Sequence, residues 1–377
     1  CFVFLCKNIF NIKNFSNTFV PVKQNIKLII IMHSKQKGTF PTTPRILAAF
    51  LMAFFLMVSC GCSTKIGQPV LPDSEGNGSE TETPDENKPD DNKPDDNKPG
   101  ENEQTPDSEG YVLMWSDEFD SNSLDTGKWR IEVNGNGGGN AELQYYDESG
   151  ISLGKDSEYG NSALKITARR EQRNGKAFVS GRLNTSGHFQ FCYGKVEGRI
   201  RLPRTANGLW PAFWLLGADF QTNSWPRCGE IDIMEMGNAE GIKNGTQDRF
   251  FNGACHWGYY KGSAYPNYAR STTNSYSIQD GNYHTYTLIW TPQSVKMYLD
   301  RDLHPNASPY YEMDIVNKDD DWGVGYYFHH DFFIILNLAV GGYFTGILQP
   351  EGITALPNNG DSATMFVDWV RVYQKKQ

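Results

Sequence analysis

The sequence predicts an all-β fold, a β-sandwich of the jelly-roll type, in the second part of the chain. Segments that alternate apolar and polar residues recur there, such as ALKITARRE at 163–171 and TMFVDWVRVYQ at 364–374. Gly, Asn, Asp and Pro turns separate them, and no long apolar repeat of helical period accompanies them. Strands without helical partners pack as a sandwich, and about 265 residues of them require the large sheets of a jelly roll.

The beginning of the chain lacks this strand pattern and carries export signals instead. No Met precedes Met32, so we interpret residues 1–31 as non-native upstream sequence and expect translation to start at Met32. Basic residues then precede an apolar run at 46–58, whose 13 residues are fewer than the about 20 that span a bilayer as a helix. Residues 32–59 are therefore predicted to be a signal peptide.

A cysteine and an acidic tether follow the predicted signal peptide. Ser59 before Cys60 resembles the lipobox of bacterial lipoproteins, which implies cleavage before Cys60 and lipidation of its sulfur. An ordinary signal peptide with an incidental cysteine is the alternative. The units PDENK, PDDNK and PDDNK repeat at 84–98, where Pro blocks regular structure and little apolar surface can be buried. We predict that residues 60–110 form a disordered linker and residues 111–377 the folded domain.

Charge and composition narrow the class of ligand. The chain has a formal net charge of -9, and residues 63–110 alone hold 14 Asp and Glu against 4 Lys, a net of -10. The remainder is therefore near neutrality, at about +1, without the basic patch that binds nucleic acid. With 13% aromatic residues and 37 glycines, the chain is suited to uncharged ligands that pack on aromatic rings.

The cysteines of the predicted domain, Cys192, Cys228 and Cys255, do not indicate a metal centre. Their number is odd, which leaves at least one thiol free in an exported protein, and no Cys and His spacing suggests zinc. Small buried residues explain these cysteines better than a disulfide does.

The segment GEIDIMEMG at 229–237 places three carboxylates in an otherwise apolar strand. Glu230 and Asp232 share one strand face, whereas Glu235 falls on the other face unless one residue is inserted. A β-bulge in which Ile233 and Met234 share one pairing position puts all three acids on the same face. Crowded carboxylates do not all ionise, so one can serve as nucleophile and another as acid, as retaining glycoside cleavage needs. A polar strand face exposed to solvent is the alternative.

Seven further motifs follow one another along the predicted domain: WSDEFD (115–120), NAELQYY (140–146), SGRLNTSGHFQFCYGKVEGRIRLP (180–203), GLWPAFWLLG (208–217), ACHWG (254–258), ILNLAVGG (335–342) and VDWVRVYQ (367–374). Together with the acidic strand, in the form Glu-x-Asp-x-x-Glu, they resemble glycoside hydrolase family 16. The resemblance is to the laminarinase-like, endo-1,3(4)-β-glucanase branch and covers nearly all of residues 111–373. It implies a jelly roll with a substrate cleft across its concave sheet, and retention of anomeric configuration.

The resemblance also implies roles for individual residues. Glu230 corresponds to the nucleophile and Glu235 to the general acid/base, while Asp232 orients Glu230. Arg182 and His256 correspond to polar contacts near the cleaved bond; a structural histidine is the alternative at position 256. Four tryptophans are candidate sugar platforms, with packing in the core as the alternative: Trp210, Trp214, Trp225 and Trp257.

Asn136 lies in the glycine-rich loop 135–139, and Asn140 follows it directly. In this branch of the family the loop borders the glycone subsites of the cleft. A plain turn is the alternative. The loop reads NGGGN where laminarinases usually carry a tryptophan. We therefore expect a relaxed preference, in which a flatter mixed-linkage chain is accepted at least as well as β-1,3-glucan.

Asp368 resembles a residue that binds a structural Ca²⁺ in many members of the family, together with backbone oxygens equivalent to those of Glu118 and Ser162. Calcium prefers such hard oxygen ligands. An aspartate at a strand end that makes only hydrogen bonds is the alternative. No cofactor is expected for catalysis.

Three classes of function fit these observations. The first is a retaining endo-β-glucanase that acts on mixed-linkage β-1,3/1,4-glucan or on β-1,3-glucan. The second is a hydrolase of another β-glycan, such as agar or porphyran, on the same fold. The third is a non-catalytic glycan-binding lipoprotein, against which the three clustered acids argue. We expect a monomeric head at the cell surface, tethered to the outer membrane by its lipid, and glycan-uptake proteins as its partners.

Overall fold

Two predominantly antiparallel sheets face each other in the computed structural model, which describes residues 105–318 and 323–376. One short helix, α1 (Ala239–Asn244), lies among the strands. The strands in chain order are β1 (Tyr111–Asp117), β2 (Arg130–Ile131), β3 (Gln144–Tyr146), β4 (Ile151–Lys155), β5 (Ser162–Arg173), β6 (Lys176–Ser180), β7 (Arg182–Asn184), β8 (Gly194–Arg201), β9 (Leu209–Gly217), β10 (Glu230–Met236), β11 (Phe250–His256), β12 (Asn267–Thr273), β13 (His284–Trp290), β14 (Ser294–Leu299), β15 (Tyr311–Asp314), β16 (Phe332–Val340) and β17 (Ser362–Lys375).

The acidic strand β10 lies inside the smaller of the two sheets. That sheet has the order β12-β11-β10-β9-β16-β7-β2. The larger sheet has the order β15-β14-β13-β8-β17-β5-β6-β3, with β1 paired to β17 and β4 to β5. The predicted all-β jelly-roll sandwich is confirmed, and β10 is hydrogen-bonded on both edges, to β9 and β11.

Strands β9 and β16 are buried and mostly apolar on both faces. Phe213, Leu215 and Leu336 are fully buried in the main core between the sheets. Their neighbours point to the other side of the smaller sheet, where Leu216 and Phe333 belong to a second, smaller apolar cluster. Strands covered on both faces read as continuous apolar runs, which is why GLWPAFWLLG and ILNLAVGG do not alternate.

The predicted export segments lie outside the described residues. These are the upstream segment 1–31, the signal peptide 32–59, the lipidation site Cys60 and the linker as far as residue 104. Among the residues that the structure does describe, no helix combines the length and the apolar character needed to cross a membrane.

The last residues assigned to the linker are described, and they contact the sandwich. The Asp107 carboxylate accepts a hydrogen bond from Lys195 of β8 at 2.6 Å. The Glu109 carboxylate forms a two-point ion pair with Arg301, at 2.6 and 2.8 Å. These contacts tie the chain to the larger sheet just before β1 begins.

Candidate active site

Strand β10 carries the three predicted acids, and its register with β11 shifts between Asp232 and Glu235. Ile233 and Met234 together stand opposite one residue of β11, Gly253. The register with β9 shifts at the same place. The predicted β-bulge is therefore confirmed, and it turns all three carboxylates to the same face of the smaller sheet.

Tyr310, which the sequence analysis missed, holds this bulge from the core side. The bulge leaves backbone groups of β10 without regular ladder partners, and the Tyr310 hydroxyl donates a hydrogen bond to the carbonyl of Ile233. The Tyr310 ring is fixed edge-on against Phe251, with 4.9 Å between ring centroids. A Cβ at Gly253 would lie 2.6 Å from the Met297 sulfur and 3.1 Å from the Tyr310 ring, so only glycine fits opposite the bulge.

Glu230, Asp232 and His256 form a compact group at one end of β10. The His256 Nε2 atom lies 3.2 Å from Asp232 Oδ2 and 3.8 Å from Glu230 Oε1. Trp225 donates a hydrogen bond from its indole nitrogen to Glu230 Oε2 at 3.1 Å. One ligand atom from each of the three residues lies within 4.8 Å of the others, which makes this group a candidate metal site among the described residues.

Glu235 has a separate partner at the other end of the strand. Trp210 donates from its indole nitrogen to Glu235 Oε1 at 3.0 Å. The Trp210 ring is only 8% exposed and stacks on Phe344, with centroids 4.6 Å apart and planes 13° apart. Trp210 therefore orients the acid, and the open ring face expected of a sugar platform is largely covered.

Burial raises the pKa of Glu230, Asp232 and Glu235 to about 8 each. For Glu230 and Glu235 the negative charge of Asp232 adds to this effect, while His256 opposes it. Three acids with such pKa values hold protons at neutral pH that isolated carboxyl groups would have lost. The group can thus contain an ionised carboxylate and a protonated one together, as the sequence analysis expected.

Aromatic rings form a wall of the cleft near Glu230. The Trp225 ring lies 4.7 Å from Tyr265 and 5.9 Å from Tyr260, both in edge-on arrangements. The His256 ring lies 6.1 Å from that of Trp225. Tyr260 is 53% exposed, so this wall, whose two tyrosines the sequence analysis did not identify, offers a free aromatic surface beside the acids.

Polar side chains cross the floor of the cleft at the level of Glu235. Backbone pairing aligns Arg182 of β7 with Asn337 of β16, and Glu235 with Asn252 of β11. The indole nitrogen of Trp214 donates to Asn337 Oδ1 at 2.8 Å. A chain that crosses the strands would meet this row on both sides of the acids.

Arg182 is positioned by Glu132, another residue that the sequence analysis missed. The Arg182 Nε atom donates to Glu132 Oε1 at 2.9 Å, and Asn184 donates to the same oxygen at 2.8 Å. The guanidinium carbon of Arg182 lies 4.8 Å from the centre of the Trp214 ring. Arg182 and Trp214 thus form one unit, in which the charge of the arginine is offset by a carboxylate.

The glycine-rich loop forms a second wall together with the turn after β16. The Asn136 side chain accepts from the Gly138 nitrogen at 3.0 Å, and the Asn140 carbonyl accepts from the Tyr343 nitrogen at 2.8 Å. Gly138 has a φ of 58°, and a Cβ there would lie 2.2 Å from a Glu142 oxygen. Tyr343 is 65% exposed, so the turn presents an aromatic ring beside the loop that lacks tryptophan.

Trp257 is not brought together with the other three tryptophans. It follows the end of β11, and its ring packs edge-on against Phe328 at 5.9 Å, at the margin of the main core. The alternative considered for this residue, a core tryptophan, fits this position. Its strand neighbour His256 faces the acids because successive strand residues point to opposite faces.

The residues predicted to bind calcium lie where β17 meets β5. Asp368 forms an ion pair with Arg199 at 2.5 Å. Its carboxylate and the Ser162 carbonyl also accept from one shared donor, the side-chain amide of Asn161. The side chain of Glu118 pairs with an arginine of β17 at 2.8 and 3.0 Å, so only its backbone oxygen remains relevant to the predicted site.

We expect Glu235→Gln to raise the melting temperature at pH 7–8 more than at pH 4–5. The pKa of this acid is about 8 in the folded chain and about 4.3 in the unfolded chain. Ionisation of Glu235 therefore does not affect the folded state below the lower value, and it destabilises the folded state increasingly as the pH rises between the two values. Removing the charge should give a gain of about 3 °C or more near pH 7. Asp120→Asn, at an exposed carboxylate, is the control. An equal gain for Glu235→Gln at both pH values would contradict the prediction.

Comparison with known proteins identifies the family of this chain. Residues 129–313 match the family described as glycosyl hydrolases family 16. A beta-glucanase of Rhodothermus marinus is 35% identical over 277 residues, which are 70% of this chain and 85% of that protein. A solved structure of a GH16 protein from the mixed linkage glucan PUL of Bacteroides ovatus, in complex with a G4G4G3G product, is 39% identical in sequence. It superposes with a TM-score of 0.60 and covers 68% of this chain and 99% of that one. The laminarinase catalytic domain of Thermotoga petrophila is 32% identical at a TM-score of 0.56, over 71% and 99%. The chain therefore belongs to glycoside hydrolase family 16.

Proposed function

We propose that this chain is a retaining endo-β-glucanase that hydrolyses mixed-linkage β-1,3/1,4-glucan, β-1,3-glucan or both. The observation that carries the proposal is the bulged strand, which places three carboxylates on one face, two of them held by separate indole donors. A binding protein needs no such set of buried acids, because each costs stability at neutral pH. The floor and the two walls supply the polar and aromatic contacts of a glucan cleft.

In the first step Glu230 attacks the anomeric carbon and Glu235 protonates the departing oxygen. Trp225 and His256 lie against Glu230 and favour its ionised form. Trp210 donates to Oε1 of Glu235, so the proton to be transferred sits on the other oxygen. The product of this step is a glycosyl ester on Glu230, and the leaving sugar carries the proton.

In the second step a water molecule attacks the ester, and Glu235 accepts its proton. The negative charge of Glu235 is one of the causes that raise the pKa of Glu230, and repulsion between two like charges acts on both groups. Esterification neutralises Glu230, which lowers the pKa of Glu235 and makes it a better base. Hydrolysis restores the carboxylate of Glu230 and returns Glu235 to its protonated form, with retained configuration at the sugar.

Replacing Glu230 tests its assignment as the nucleophile of the first step. We expect Glu230→Ala to lower glucan hydrolysis by on the order of 1,000-fold or more. Azide should restore turnover of an activated aryl β-glycoside by entering the vacated face, which gives an α-glycosyl azide. The product is identified by NMR. Glu240→Ala, which removes an exposed carboxylate on α1, is the matched control and should keep full activity. Near-native hydrolysis by Glu230→Ala would remove the assignment.

The wall formed by the glycine-rich loop is expected to affect which glucan linkage the enzyme prefers. Its loop offers no tryptophan, and a lost stacking contact removes on the order of 1 kcal/mol, or several-fold in specificity. We therefore expect initial rates on barley β-glucan at least equal to those on laminarin, and little hydrolysis of pure β-1,4-glucan. Viscosity should fall before much reducing sugar appears, as internal cleavage requires.

A preference for laminarin of tenfold or more would contradict this expectation. In that case the exposed ring of Tyr343, beside the loop, is the first residue to examine as a replacement platform. Agarose and porphyran serve as substrates for the alternative hydrolase. The charge of Arg182 is already engaged by Glu132, which does not favour a sulfated chain.

Attachment to the outer membrane at the cell surface is part of the proposal. It is supported by the sequence alone, through Ser59-Cys60, the apolar run before it and the acidic repeats after it. Such a tether would let the head reach polymers outside the cell, where proteins of a glycan-uptake system would receive the products. These segments lie outside the described residues.

We also propose a structural Ca²⁺ between Asp368 and Ser162. Both contribute oxygens that converge on the Asn161 amide nitrogen, and the Asn161 amide oxygen is buried without a partner among the described residues. Turning that amide over would bring its oxygen next to the other two, and three neighbouring oxygens are a ligand set that suits calcium.

Chelation should reveal this ion. We expect EDTA to lower the melting temperature without changing the rate per folded molecule, because a ligand of the native state stabilises only that state. Asp368→Asn should have a lower melting temperature that EDTA no longer shifts. An unmoved transition in the parent chain, with no metal found by elemental analysis, would leave Asp368 as a hydrogen-bonding residue.

A further inference from the structure

The acids of the cleft and one histidine meet in a geometry that resembles an open metal site. The distances are 3.2 Å from His256 Nε2 to Asp232 Oδ2 and 3.8 Å from the same nitrogen to Glu230 Oε1. All three ligand atoms lie within 4.8 Å of one another. Zn²⁺ binds nitrogen and carboxylate oxygen at about 2.0–2.2 Å, which separates tetrahedral ligands by roughly 3.4 Å. Small side-chain rotations would therefore suffice.

Asp232 supplies an observation independent of this clustering. Its residue is only 4% exposed, yet its Oδ2 atom has no hydrogen-bond partner among the described residues. That oxygen lies 3.2 Å from His256 Nε2, an ion-pair distance without hydrogen-bond geometry. A buried carboxylate oxygen without a donor is costly, and a bound cation would satisfy it.

The scaffold holds the three ligands in place before any ion arrives. Glu230 and His256 are a direct backbone pair of β10 and β11, and Asp232 pairs with the next residue on the same face of β11. Little conformational entropy would be lost on binding. Two carboxylates and one imidazole favour a cation once they are deprotonated, so binding would release protons.

We propose that Glu230, Asp232 and His256 bind one divalent transition-metal ion of the Zn²⁺ or Cu²⁺ class, and that this ion competes with the glucan chain. Imidazole with carboxylates suits zinc, copper and nickel, whereas Ca²⁺ and Mg²⁺ prefer sites made of oxygen alone. Trp225 holds Oε2 of Glu230, so an ion on Oε1 would engage the oxygen that is left for attack on the sugar. Metal binding would therefore switch the enzyme off reversibly.

The experiment measures binding first, so that it does not depend on the proposed glucanase activity. The full chain, freed of metal, is titrated with ZnCl₂ by calorimetry. We expect one site that weakens on the order of tenfold or more in His256→Ala and Asp232→Asn. His304→Ala removes an exposed histidine in the turn after β14, a strand of the larger sheet, and should leave the site unchanged. Circular dichroism confirms that each variant is folded.

Competition is measured second, on the parent chain. A non-hydrolysed β-glucan oligosaccharide should weaken zinc binding, and zinc should raise the apparent KM for glucan without lowering kcat. A Co²⁺-loaded chain should show visible absorption bands that His256→Ala lacks. The proposal is overturned if zinc does not bind, if His256→Ala and Asp232→Asn bind it as the parent does, or if zinc and oligosaccharide bind together. Zinc binding without any glucan hydrolysis would overturn the proposed function and leave the metal site standing.

Discussion

The extra residue in β10 is the constraint on which the rest of the site depends. A regular strand would send Glu235 into the core, where an ionised carboxylate has no partner and its desolvation is prohibitive. The bulge avoids this and keeps three acids together on a half-enclosed face. It also displaces backbone groups from the ladder, so a donor has to be supplied from the core, and the buried hydroxyl of Tyr310 supplies it.

Burial of the acids gives them their chemistry and also limits stability. Their raised pKa values follow from burial, and for the two glutamates also from the negative charge of Asp232. Single hydrogen-bond donors partly offset the cost of burying these carboxylates, since Trp225 and Trp210 each donate one N–H to one glutamate. A fully satisfied hydrogen-bond network would lower those pKa values and remove the proton that cleavage needs.

Much of the site could be predicted from the spacing of residues along the chain, because strand parity is a local property. The face shared by Glu230 and Asp232, and the bulge that restores Glu235 to it, follow from a period of two. Tyr310 and Glu132 could not be predicted in this way. Their partners are 77 and 50 residues away in sequence, and only the packing of the sheets brings them together.

The roles of the tryptophans also could not be predicted from sequence spacing. Position alone did not separate Trp257, which lies at the core margin, from Trp225, which lines the cleft. Nor did it reveal that Phe344 covers the ring of Trp210. A signal for the bulge partner was present in the sequence, since Gly253 interrupts an apolar strand where a larger residue would otherwise be favoured.

The junction between the glycine-rich loop and the turn after β16 has an evolutionary consequence. It is made by backbone atoms, from the Tyr343 nitrogen to the Asn140 carbonyl. Such a bond does not depend on which side chains the two residues carry. Substitutions of exposed side chains such as that of Tyr343 can therefore accumulate without breaking this bond, whereas Gly138 cannot be replaced freely. The shape of the wall therefore depends little on the side chains that it presents to the cleft, and these side chains are free to change while the backbone stays in place.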